Sequence, residues 1–150
     1  MNLTKLDYQL LRLPYDSPIE KVASSLIIQA NTGDIAMGPI LEKVELDLKP
    51  LQRHYAYQAV AKAYYNYIKS NKDYISLTKE ICLKDLVLCQ EECYGDEDNS
   101  CLDILAITAA NYMCKSDAIQ ILDLIIDSGF AFQKYIKLKE KIQNDHSRIH

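Results

Sequence analysis

Apolar residues recur at helical spacing along almost the whole chain, and no stretch shows the strict alternation of a half-buried strand. Only four glycines and four prolines punctuate the 150 residues, too few for the turns of an all-β fold. Hydrophobic residues make up 49%, which excludes a disordered or collagen-like chain. The length fits one domain with a real core. The expected fold is therefore all-α, with residues 1–150 forming one helical domain.

The punctuation divides the chain. Pro14 ends a first helix over 3–13. Asp16, Ser17 and Pro18 start the next, with an N-cap candidate and a proline in the first turn. It stops at Asn31-Thr32-Gly33, and a short helix follows Gly38-Pro39 over 39–46. Pro50 opens a long helix to about 70, and another covers 73–93. "YGDEDNS", beginning at Tyr94, reads as a loop. Helices at 101–113 and 116–128 come next, and a lysine-rich one starts near Phe130.

Three helix starts look alike: "SPIEKVA" at Ser17, "KPLQRHY" at Lys49 and "SCLDILA" at Ser100. The first two are 32 residues apart, close to the ~33 of an ankyrin unit. "SPIEKVA" resembles the ankyrin signature T-P-L-H-x-A through Ser17, Pro18, Ile19, Val22 and Ala23. "SCLDILA" resembles it through Ser100, Leu102 and Ala106. "ILDLIIDSGF" is similar to the closing helix of such a unit as far as Gly129, with Leu122, Leu124, Ile125 and Ile126 as the packed positions. Glycine suits that exit because the chain leaves the helix through a left-handed residue. The pattern departs from the family in places: no unit has the histidine, Val44 replaces a terminal glycine, and Pro39 interrupts a second helix. The middle unit also carries an insertion. The resemblance implies a short array with units at 17–48, 49–99 and 100–132, capped by a helix over 133–145. The competing reading is an irregular bundle of six or seven helices.

Several functions are not expected. The formal charge of −4 gives no general attraction to nucleic acid or an anionic membrane. No apolar run approaches the ~20 residues of a membrane span. Lys5, Asp7 and Arg12 break up the N-terminal apolar residues, unlike a signal peptide. Five irregularly spaced cysteines then read as reduced thiols, and the expected location is cytoplasmic. Cys82, Cys89 and Cys93 fall within about 60° on one helical face with Ile75 and Leu86. No histidine lies near them in sequence, so they read as core, with no metal and no cofactor. From Asp96 the chain starts like a calcium loop, but Cys101 stands where glycine is needed and Ile107 where the bidentate glutamate is needed. No P-loop, G-x-G-x-x-G, G-x-S-x-G or H-E-x-x-H occurs, so no catalytic residues are assigned. A small enzyme would need His54 or a cysteine held in a pocket.

Contact is the remaining expectation. Eleven tyrosines stand against two phenylalanines and no tryptophan. On the wheel of the Pro50 helix, Tyr57, Tyr64 and Tyr67 fall on the apolar side, while Tyr55 and Tyr65 fall at or beyond its edge. Tyr55 and Tyr65, with the acidic Asp96, Glu97 and Asp98, are the candidate partner-binding residues. In the last helix, Tyr135, Leu138 and Ile142 form a stripe suited to docking a cap. The resemblance implies a protein–protein interaction module, an adaptor or regulator without enzymatic activity. Its partner would be another protein with a basic surface, and the chain itself a monomer or weak oligomer. A bundle that holds a partner's helix in a groove is the alternative.

Overall fold

In a computed structural model, residues 45–92 (apart from 47) and 100–147 are described; the side chains of Tyr55, Ala59 and Ser100 are outside that description. The expected helices before Glu45, the unit at 17–48 and the acidic residues Asp96, Glu97 and Asp98 lie outside the described residues. Five helices follow in order: α1 (Pro50–Tyr67), α2 (Asp73–Glu92), α3 (Ser100–Tyr112), α4 (Lys115–Asp127) and α5 (Gln133–Gln143). No strand occurs among the described residues, so the fold is all-α.

The helix ends follow local chemistry. Lys49 is extended (φ −70°, ψ 157°), and Pro50 takes the first helical position, where its missing N–H costs nothing. The Lys49 N–H donates to Gln52 Oε1 at 3.1 Å. Asn71 Oδ1 accepts from the Asp73 N–H at 2.9 Å and so starts α2. At the end of α4, Gly129 has φ +104°. The Phe130 N–H reaches the Ile125 carbonyl and the Gly129 N–H the Ile126 carbonyl, both at 3.3 Å. These are the two bonds of a Schellman motif, and the flanking Ile125 and Phe130 are buried.

This geometry makes Gly129 testable. A Cβ there would meet nothing within 4 Å, so only backbone strain opposes substitution. Gly129→Ala is expected to cost about 1 kcal/mol and Gly129→Val more. Thermal melting should show a drop of roughly 2–4 °C for alanine. An unchanged midpoint for the valine variant would contradict the cap.

The helices pack in chain order. α1 and α2 form an antiparallel hairpin, shown by His54 opposite Asp85 near one end and Tyr64 opposite Tyr74, ring centroids 5.6 Å apart, near the other. Tyr65 and Tyr112 meet edge to face at 5.9 Å, so α1 and α3 bring their C-terminal ends together. Asp103 pairs with Lys134 at 2.9 Å, so α3 and α5 bring their N-terminal ends together. α1, α3 and α5 therefore run in the same direction. The principal packing joins helices one or two apart in the chain, and α3 touches the other four.

Buried side chains form one continuous core. Tyr64, Tyr135, Ile81, Leu102, Leu105, Leu122 and Ile125 are among its largest fully buried members, and Ala106 and Ala109 are buried on α3. Tyr57 and Tyr64 are buried as the wheel predicts, while Tyr67 is half-buried. Tyr135 and Ile142 dock α5, and Lys139 pairs with Asp123 of α4 at 2.5 Å.

Candidate functional site

α1 and α2 each carry an ionisable residue on their buried face. His54 continues the stripe of Tyr57, Ala61 and Tyr64, and Asp85 lies among Thr78, Cys82 and Cys89. The hairpin sets them together: His54 Nδ1 and Asp85 Oδ1 are 2.7 Å apart. Asp85 is 0% exposed and His54 only 8%. Desolvating a carboxylate alone would be very costly, so the short contact to His54 is what makes its burial tolerable. Gln58, one turn on in α1, places its side-chain amide 2.9 Å from His54 Nε2. Both ring nitrogens therefore face polar partners.

Cys89 closes the group. Its Sγ lies 3.6 Å from Asp85 Oδ2 and 3.7 Å from His54 Nδ1. One donor atom each from His54, Asp85 and Cys89 lies within 4.8 Å of the other two. Cys101, at the start of α3, is in hydrogen-bonding contact with Cys82 and Asp85. Burial pushes the Cys101 thiol well above its usual range, and those two neighbours push it further. All four described cysteines are free thiols; Cys82, Cys89 and Cys101 are buried and Cys114 half-buried. The sequence separates His54 from Cys89 by 35 residues, and the hairpin removes that separation. Asp85 was not singled out from the sequence, though its place between Cys82 and Cys89 on an apolar face was the available signal.

A thiol activated by histidine needs the ring nitrogen opposite the one that an orienting carboxylate holds. Here Cys89 and Asp85 crowd the same Nδ1, and Nε2 faces Gln58.

Of the candidate contact residues, Tyr65 is placed. It is half-buried, and its hydroxyl accepts from Asn111 Nδ2 at 3.3 Å beside the Tyr112 ring. This is the C-terminal end of α3; Asp96, Glu97 and Asp98 lie outside the described residues. The Tyr55 side chain is outside the described residues.

A surface groove of about 250 Å³ lies between α3 and α5, lined by Asp103, Ala106, Ile107, Lys134, Tyr135 and Leu138. Ile107 is 44% exposed there. On the rim, Asp103 accepts from the Tyr135 hydroxyl at 2.8 Å and pairs with Lys134. Burial, then donation to Asp103, raises the Tyr135 hydroxyl far above its ordinary range, so it remains a donor. No described helix is long and apolar enough to cross a membrane. Compared with known proteins, the chain matches no family model, no curated protein and no solved structure.

Proposed function

We propose that the chain is a non-enzymatic protein-contact module, a short ankyrin-like array of stacked helix pairs acting as an adaptor or regulator. The groove between α3 and α5 carries this reading, because it offers an apolar floor within a polar rim. Ile107 and Leu138 supply area, and Ala106 leaves room for an incoming side chain. That composition suits an apolar anchor on a partner's amphipathic helix. Asp103 and Lys134 neutralise each other at the rim, so net charge would come from Asp96, Glu97 and Asp98, which precede α3 in the sequence. The favoured partner is therefore a protein segment with an apolar anchor flanked by basic residues. The common direction of α1, α3 and α5, and packing between near neighbours in the chain, support the stacked-pair reading. The crowding at His54 Nδ1 supports the absence of enzymatic activity.

A photo-crosslinking residue at Ile107, in the full chain in cells, would trap the partner for surface plasmon resonance. Ile107→Asp should weaken binding by more than about tenfold, the effect of losing one desolvated anchor. The melting temperature should hold, since Ile107 is exposed. Neutralising Asp96, Glu97 and Asp98 should slow association at low salt and barely change it at high salt. Wild-type binding by Ile107→Asp would remove the groove from the contact surface.

A further inference from the structure

We propose that His54 Nδ1, an Asp85 carboxylate oxygen and Cys89 Sγ form a buried three-ligand site for one zinc-class divalent ion. The first reason is convergence. Among the described residues, His54 is the buried histidine, Asp85 the buried carboxylate, and Cys82, Cys89 and Cys101 the buried thiols. All five gather where α1, α2 and α3 meet. Oil-like filling of a core has no reason to bring every buried ligand-type side chain to one point.

Distance is the second reason. Zinc binds nitrogen and oxygen at about 2.0–2.2 Å and sulfur at about 2.3 Å, so tetrahedral ligands sit about 3.6 Å apart for N–S and O–S and about 3.4 Å for N–O. The observed N–S and O–S separations are 3.7 and 3.6 Å. The His54 Nδ1–Asp85 Oδ1 contact, a hydrogen bond at 2.7 Å, would have to open, by about 0.7 Å to reach zinc spacing. Rotation of the carboxylate can supply that.

The surroundings fit as well. A metal-bound imidazole donates its other N–H to an outer partner, and the Gln58 amide already faces Nε2 at 2.9 Å. With the amide oxygen turned inward, Gln58 would accept that hydrogen. Binding would release the Cys89 thiol proton, and the neutral imidazole would keep its one N–H at Nε2, with no change of oxidation state. Sulfur and imidazole donors select against calcium and magnesium. The three ligands are all buried and come from α1 and α2, so the ion would tie these two helices together, with its fourth position left to a non-protein ligand.

Cobalt(II) titration of the chelator-treated full chain tests this directly. One equivalent should produce a sulfur-to-cobalt charge-transfer band, which zinc then abolishes by displacement. Cys89→Ser should abolish the band and weaken binding more than about 100-fold, beyond the range for outer-shell losses; Gln58→Ala should weaken it about 10- to 100-fold. Cys114→Ser should change nothing. Should a cysteine variant fail to fold, the wild type still decides: one equivalent of zinc must raise its melting temperature over the chelated protein. No charge-transfer band, an undiminished band in Cys89→Ser, or no thermal shift with zinc would each overturn the site, leaving an ordinary ion pair padded by thiols.

Discussion

Replacing Asp85 by alanine is expected to cost about 3 kcal/mol, the upper end for leaving a buried hydrogen-bonding group without its partner. The carboxylate is 0% exposed and holds His54 Nδ1 at 2.7 Å. Alanine would leave that imidazole facing a void, with Cys89 losing its acceptor as well. The melting temperature should fall by roughly 10 °C, at 2–4 °C per kcal/mol for a chain of this size. The measurement belongs in chelator, so that no metal contributes. Replacing both residues, His54→Leu with Asp85→Leu, should recover much of the loss, because an apolar pair leaves nothing buried without a partner. A fall of less than about 2 °C for Asp85→Ala, under 1 kcal/mol by the same conversion, would mean that the pair does not hold α1 on α2.

The same pair shows where sequence reasoning stops. Helix ends are legible because their causes are local: Pro50 cannot continue a preceding helix, and Gly129 takes a conformation that other residues avoid. The docking stripe of Tyr135, Leu138 and Ile142 is legible because its period is that of the helix. On a wheel, His54 and Asp85 are each an ionisable residue on an apolar stripe, which foretells that each needs a partner. Which partner depends on the register of the α1–α2 hairpin, and a wheel contains no register. Tyr65 makes the point from the surface: its edge position is visible in the sequence, its contacts with Asn111 and Tyr112 are not. The groove between α3 and α5 joins residues about thirty apart and has no local signature at all.

Leu105→Ala is the other large effect expected, about 2–5 kcal/mol and toward the upper end. Leu105 is 0% exposed in the middle of α3, the helix that touches all four others. A cavity costs most where the surroundings cannot collapse into it. Here α1, α2, α4 and α5 all pack on α3, so relaxation toward one loosens the contact with another. Ile142 offers the comparison: it is 3% exposed but sits near the end of α5, which can shift without disturbing α1 or α2. Ile142→Ala should cost toward the lower end of the same range. Hydrogen exchange should place the loss in α5 alone, as expected of a locally opening terminal element. Leu105→Ala should instead lower protection across all five helices together. If urea unfolding gives Leu105→Ala no larger a cost than Ile142→Ala, with exchange rising only in α3, then α3 is not the element that couples the α1–α2 pair to α4 and α5.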